Sequence, residues 1–139
     1  MRPERAHGVV KMRKILIVDD DRNFCRCLEK LINWAELGCY EPVVAYNGVL
    51  GWEQIEKQLF DLVICDLNMP IMGGAELCSK IKAKYPDIAI VFVSAYANFE
   101  VARKAMQFGV KDYILKPINS ECLESLKRIV QTITSESVI

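Results

Sequence analysis

The feature that most constrains the fold of this chain is a regular alternation of short apolar runs with segments of helical periodicity. The apolar runs are residues 13–18, 42–46, 62–65, 88–93 and 112–115. In five further segments apolar side chains recur every three or four positions, which predicts helices. These segments are residues 22–35, 48–59, 74–85, 98–108 and 119–133. Because strands that are apolar throughout need cover on both faces, the pattern predicts an α/β fold with a five-stranded parallel sheet and helices on both faces.

The chain has 139 residues, which is the usual size of one domain, and it shows no internal repeat or low-complexity linker. We assign residues 13–133 to a single domain, with a flexible leader over residues 1–12 and a tail over residues 134–139. The sequence contains no run of about 18 apolar residues and therefore predicts no membrane span. The leader also lacks the apolar stretch of a signal peptide.

The charged residues balance, with 18 lysines and arginines against 18 aspartates and glutamates. This balance argues against extensive nucleic-acid binding by this domain alone. The six cysteines include no CxxC pair, and the only histidine, His7, lies in the leader, so a zinc site is poorly supported. We therefore expect reduced core cysteines in a cytoplasmic protein.

Polar side chains follow four of the five predicted strands, at the point where each strand ends. They are residues 19–21, Asp66, Ser94 and Lys116. In open parallel sheets the ligand crevice lies outside the carboxyl ends of the strands, and five strands commonly run in the order 2-1-3-4-5. That order makes the first and third strands neighbours, so it predicts that Asp19 and Asp20 lie close to Asp66.

Such a cluster of carboxylates needs a cation, because ionised carboxylates repel one another. An oxygen-only cluster suits Mg²⁺. A hydroxyl and an ammonium beside it suit a transferred phosphoryl group, for which a carboxylate can serve as nucleophile. Each feature alone is ordinary, since an acidic run after a strand is often only a turn or a helix start. Their joint position at strand ends favours a phosphoryl-transfer site.

Four segments carry a family resemblance. They are residues 15–21 (ILIVDDD), 66–70 (DLNMP) with Gly74, 94–96 (SAY) and 112–117 (DYILKP). They resemble the receiver domains of two-component response regulators, in the right order, over roughly residues 13–133. The resemblance implies the flavodoxin-like receiver fold and a domain that accepts a phosphoryl group from a sensor histidine kinase. Many receivers carry Asp where this chain has Gly73, a difference in a turn.

The resemblance also implies the residues of the site. Asp66 would be the phosphoacceptor. Asp19, Asp20 and Asp66 would hold Mg²⁺ together with the backbone carbonyl of Asn68, and Lys116 would contact the phosphoryl group.

By the same resemblance Ser94 is the catalytic and switch hydroxyl, and Tyr113 is the switch aromatic. Asn68 and Tyr96 would flank the path of the water that hydrolyses the acyl phosphate, and so set its lifetime. The Lys116–Pro117 peptide is expected to be cis.

Finer matches over residues 94–99 and 109–118 are similar to receivers joined to arabinose-regulator-type helix-turn-helix domains. They imply that the protein controls transcription through a DNA-binding domain that is absent from this sequence. Any contact with DNA would then be made by that domain alone. A phosphorylation-dependent homodimer through the fourth helix, fifth strand and fifth helix is also expected. The domain would be no enzyme beyond its own phosphoryl transfer and autodephosphorylation.

Two other function classes stay open. A metal-dependent phosphatase of the haloacid-dehalogenase type uses an Asp-x-Asp pair after the first strand, which Asp19 and Asp21 match, although Arg22 and Asn23 do not continue its pattern. Turnover of a generic phosphatase substrate would identify that class. The other is a stand-alone phosphorelay or docking module, and its purely docking form is disfavoured by the complete set of acidic, hydroxyl and lysine residues. A flavin-binding module fits less well, because no phosphate loop rich in Ser, Thr or Gly follows the first strand.

Overall fold

The computed structural model describes residues 11–95 and 99–136. Strands and helices alternate along this part of the chain, in the order β1 (Ile15–Val18), α1 (Arg22–Leu31), β2 (Val43–Ala45), α2 (Gly48–Lys57), β3 (Leu62–Asp66), α3 (Gly74–Lys84), β4 (Ala89–Ser94), α4 (Phe99–Gln107), β5 (Asp112–Leu115) and α5 (Ser120–Glu136). All strand pairs are parallel and the sheet order is β2-β1-β3-β4-β5. The predicted fold class and strand order are confirmed.

The sheet separates two apolar layers, because successive side chains of a strand point to opposite faces. Ile15, Ile17 and Ile64 belong to the layer that also contains residues of α1 and α5. Leu16 and Val63 belong to the layer that contains residues of α2 and α3. All four residues of β1 are buried, as expected for a central strand covered on both faces.

Helix α1 ends at Leu31, four residues before the predicted end at Ala35. The reason is Trp34, which is buried and turns back onto the helix so that its Nε1 donates to the Leu28 carbonyl at 3.2 Å. Gly38, with φ of 77°, then leads the chain toward β2.

Helix α2 buries only part of the face that the apolar pattern predicts, which consists of Val49, Trp52, Ile55 and Leu59. Ile55 is buried and Trp52 packs partly buried against the same core, as expected, whereas Val49 and Leu59 are 38% and 71% exposed. The other buried positions of the helix are Gly48 and Gly51. A Cβ atom on Gly51 would lie 2.9 Å from Val18 Cγ2, so the helix approaches the sheet too closely for a larger side chain.

Helix α5 begins after Asn119, whose Oδ1 accepts from the Cys122 N–H at 2.8 Å, and it continues to Glu136. The helix therefore runs three residues past the predicted domain end at residue 133. Most of the predicted leader and residues 137–139 of the predicted tail lie outside the described residues. No helix in the described part of the chain is both long and apolar enough to span a membrane.

Candidate functional site

Three carboxylates meet at the carboxyl edge of the sheet. Asp19 follows β1 and Asp66 ends β3, and the pairing of Val18 with Cys65 brings the two strand ends side by side. Carboxylate oxygens of Asp19, Asp20 and Asp66 all lie within 4.8 Å of one another. Asp19 and Asp66 are buried, whereas Asp20 is exposed. The predicted acidic cluster is therefore present.

Backbone groups fix the two buried carboxylates in place. The Asp21 N–H donates to Asp19 Oδ1 at 2.9 Å, and the Asn68 N–H donates to Asp66 Oδ1 at 3.1 Å. The Asp19 N–H itself donates to the Ala45 carbonyl of β2 at 3.0 Å. Each carboxylate thus keeps one oxygen engaged and presents the other to the shared space.

Lys116 brings positive charge to the cluster from the end of β5. Its Nζ lies 2.8 Å from Asp19 Oδ2 and 3.6 Å from Asp66 Oδ2, and its side chain is 12% exposed. The Lys116–Pro117 peptide is cis, as predicted. The Nζ of Lys116 lies over the face of the Phe24 ring of α1, 4.6 Å from the ring centre, and this cation–π contact helps to hold the ammonium in place.

One lysine does not compensate the carboxylates fully. Burial, followed by the charge of Asp19, raises the pKa of Asp66 to about 6. Burial also raises the pKa of Asp19, against the opposing effect of Lys116. The donor set consists of carboxylate oxygens alone, which suits a hard cation such as Mg²⁺. The residues therefore fit the metal that the sequence predicted.

Ser94 ends β4 and is completely buried. Asn68, two residues beyond Asp66, donates from its side-chain Nδ2 to Ser94 Oγ at 3.3 Å. Tyr113 lies in β5 opposite Phe92 and is half-buried against the α2 and α3 layer. The structure thus places Ser94 at the edge of the acidic cluster, whereas Tyr96 lies outside the described residues.

Sequence reasoning missed two contributions to the site. Phe24 is one of the apolar positions that predict the helix over residues 22–35, and such a position indicates packing in the core and nothing more. Gly74 was part of the family pattern, but its reason appears only in the structure. A Cβ atom there would lie 2.5 Å from the Asp66 carbonyl oxygen, so a side chain would push against the backbone of the acidic strand end.

Comparison with known proteins gives consistent matches. A family model described as "Response regulator receiver domain" matches residues 15–128. The uncharacterized transcriptional regulatory protein YesN of Bacillus subtilis is 36% identical over 128 residues, which is 91% of this chain and 35% of YesN. The transcriptional regulatory protein ZraR of Escherichia coli is 37% identical over 112 residues, 80% of this chain and 24% of ZraR. The chain therefore spans only about a third or less of these relatives.

Solved structures agree with these matches. The receiver domain of AraT, a response regulator from Geobacillus stearothermophilus, superposes with a TM-score of 0.82 at 27% identity, covering 90% of this chain and 97% of that chain. The response regulator TrrA from Thermotoga maritima, solved in complex with Mg²⁺ and BeF, gives a TM-score of 0.71 at 29% identity, covering 85% and 99%.

Proposed function

This chain belongs to the response regulator receiver domain family, and from that membership we propose that Asp66 accepts a phosphoryl group from a sensor histidine kinase. The observation that carries the proposal is the position of Asp66. It is a buried carboxylate at a strand end, held beside Asp19 and Lys116 at the edge where open parallel sheets bind ligands.

In the proposed reaction an oxygen of the Asp66 carboxylate attacks the phosphorus atom of the donor. The bond from phosphorus to the leaving group breaks, the leaving group keeps the electron pair, and an acyl phosphate forms. Lys116 is suited to contact the phosphoryl oxygens, because its ammonium lies 3.6 Å from Asp66 Oδ2. The buried hydroxyl of Ser94 is suited to donate a hydrogen bond to the same oxygens.

Asp19, Asp20 and Asp66, with the backbone carbonyl of Asn68, are proposed to hold Mg²⁺. A bound Mg²⁺ would supply positive charge against the phosphoryl oxygens. Asp19 and Asp66 are anchored through one oxygen each by backbone N–H groups, and their other oxygens face the shared space, where a bound cation would compete with Lys116 for Asp19 Oδ2. Asp20 is exposed and gives the cluster an opening to solvent.

Phosphorylation is proposed to act through Ser94 and Tyr113. Ser94 Oγ accepts from Asn68 Nδ2 at 3.3 Å before phosphorylation, so a move toward the phosphoryl group would change that contact. Tyr113 would then turn inward, which biases a two-state element at α4, β5 and α5. Asn68 and Tyr96 are proposed to limit the approach of water and so to set the rate of autodephosphorylation.

The output proposed for the whole protein is control of transcription. The relatives YesN and ZraR are transcriptional regulators of which this chain spans a minor part. DNA contact would belong to an output domain outside this sequence. The surface of α4, β5 and α5 carries exposed Met106 and Leu115 near charged residues, and we assign it to a homodimer formed on phosphorylation.

The test is incubation of the protein with Mg²⁺ and acetyl phosphate, followed by intact-mass measurement. We expect a single phosphoryl adduct on the wild type and on Asp87→Asn, whose carboxylate is exposed at the opposite edge of the sheet, and none on Asp66→Asn. An equal adduct on Asp66→Asn would contradict the assignment. Steady turnover of a generic phosphatase substrate would instead favour the aspartyl phosphatase class.

A further inference from the structure

We infer that Arg22, held against the ring of Tyr46, binds the phosphoryl group of the incoming donor at the rim of the acidic site. The inference rests on the proposed function and names a residue that acts in that reaction. Its basis is a stacked pair, in which the Arg22 guanidinium carbon lies 3.9 Å from the centre of the Tyr46 ring. This contact fixes a side chain that would otherwise be free to move in solvent.

The stacked pair lies at the same edge of the sheet as the carboxylates. Arg22 is the first residue of α1 and follows Asp20 by two positions. Consecutive Cα atoms are about 3.8 Å apart, so the two Cα atoms are within roughly 8 Å of each other. Tyr46 directly follows β2, whose last residue, Ala45, accepts the Asp19 N–H at 3.0 Å. The stacked pair therefore lies at the carboxyl edge of the sheet where β1 and β2 meet, and Arg22 is two residues from a carboxylate of the cluster.

The negative charge at this edge gives a role to a second cationic side chain besides Lys116. A phosphoryl donor carries negative charge and must approach three clustered carboxylates. Lys116 is only 12% exposed and its Nζ lies 2.8 Å from Asp19 Oδ2, so it can contact the phosphoryl oxygens only once the donor has reached the cluster, and it does little to attract the donor from solvent. Arg22 is exposed, and among residues 11–95 and 99–136 no carboxylate forms an ion pair with it. A guanidinium also matches phosphate geometry with paired donors.

The same position predicts opposite effects on the donor and on the metal. The positive charge of Arg22 attracts an anionic donor, and the same charge repels Mg²⁺. Removal of that charge should therefore slow phosphorylation while leaving Mg²⁺ affinity unchanged or slightly higher. Loss of a merely structural contact in the loop between β1 and α1 would weaken both together.

The experiment compares Arg22→Gln with Arg26→Gln, in chains of residues 1–139 at saturating Mg²⁺ and low ionic strength. Arg26 is also exposed on α1, but it lies one helical turn, about 6 Å, farther along the helix. With acetyl phosphate at low concentration, we expect Arg22→Gln to lower the phosphorylation rate roughly three- to ten-fold and Arg26→Gln to stay near wild type. Calorimetric titration with Mg²⁺ alone should show no loss of affinity in either variant.

Tyr46 is tested as a positioning residue by two substitutions. Tyr46→Phe keeps the ring face and should keep the wild-type rate, whereas Tyr46→Leu should slow phosphorylation without weakening Mg²⁺ binding. The free energy of unfolding is measured for each variant, so that a misfolded Tyr46→Leu is recognised and the conclusion then rests on Arg22→Gln.

A second donor, monophosphoimidazole, separates the phosphoryl group from the rest of acetyl phosphate. An equal loss of rate with both donors assigns Arg22 to the phosphoryl group, which is also what a phosphohistidine presents. A loss confined to acetyl phosphate, an unchanged rate in Arg22→Gln, an equal loss in Arg26→Gln, or a parallel loss of Mg²⁺ affinity would each overturn the inference. A wild type that accepts no phosphoryl group would instead overturn the proposed function.

Discussion

Gly74 and Gly73 are adjacent glycines for which the structure predicts different consequences of the same substitution. Gly74 begins α3, and its N–H donates to the Leu67 carbonyl at 3.0 Å. A Cβ atom at Gly74 would lie 2.5 Å from the Asp66 carbonyl oxygen and 2.8 Å from Leu67 Cα, both backbone atoms that cannot rotate away. At Gly73 the nearest atom to such a Cβ, the Leu67 carbonyl oxygen, is 3.4 Å away.

These distances set the expected magnitudes. Overpacking against backbone costs about 1–3 kcal/mol or more, while replacing glycine with alanine regains about 0.4–1 kcal/mol by restricting the unfolded chain. We therefore expect Gly74→Ala to lower the free energy of unfolding by about 2 kcal/mol. Gly73 is the N-cap of α3 with φ of −77°, which alanine can adopt. The loss of a glycine cap, about 0.5–1 kcal/mol, should nearly cancel the gain there.

The assay is urea unfolding followed by the fluorescence of Trp34 and Trp52, with the phosphorylation rate measured in parallel. Gly74→Ala should also slow phosphorylation, because the backbone it displaces carries Asp66 and Leu67. The reasoning is refuted if Gly74→Ala unfolds within about 0.5 kcal/mol of wild type, the scale of an ordinary surface change. A Gly73→Ala variant as unstable as Gly74→Ala would refute it equally.

Three further predictions concern stability, each measured by the same unfolding assay. Trp34→Phe should cost about 1–3 kcal/mol, because it removes the 3.2 Å hydrogen bond to the Leu28 carbonyl and leaves space in the core; an unchanged stability would mean that the bond does not end α1. Asp61→Ala should lower the free energy of unfolding by about 2–4 kcal/mol, since it leaves the buried Arg13 without the carboxylate that lies 3.1 Å away. The double variant Arg13→Met with Asp61→Leu should recover most of that lost stability, because it leaves no unpaired buried charge. Asp66→Asn without metal should be more stable than wild type by about 1–3 kcal/mol above pH 6, because the raised pKa of Asp66, about 6, makes its ionised form costly in the folded state. That advantage should disappear as the pH falls from 6 toward 4, and a difference independent of pH would contradict the cause.

The site could be predicted from sequence because it depends on strand ends. Apolar runs locate the strands, and in a parallel sheet all carboxyl ends meet at one edge. The positions of Asp19, Asp66 and Lys116 therefore follow from where the runs stop, and the structure brings them together. The roles of these residues in phosphorylation, by contrast, rest on family membership and chemistry, and they stay proposals.

The buried faces of the helices were harder to predict, because the hydrophobic pattern of a helix does not show how closely the helix approaches the sheet. In α2 the pattern favoured Val49, but the helix lies so close to the sheet that Gly51 faces Val18. The end of α1 depends on Trp34, whose indole bonds back to Leu28 across six residues. Such a contact depends on tertiary packing, so the apolar periodicity of the helix does not predict it.

The arrangement of charge at the carboxyl edge links the stability of the domain to its proposed chemistry. Lys116 lies closer to Asp19 than to Asp66, at 2.8 Å against 3.6 Å. Asp66 is therefore the less compensated of the two buried carboxylates, and the folded protein bears the cost of its charge. A carboxylate compensated fully by lysine would be more stable and a poorer nucleophile, since its oxygens would already be engaged. The incomplete ion pair leaves Asp66 open to a cation and to a phosphoryl group, as expected where function is built at the expense of stability.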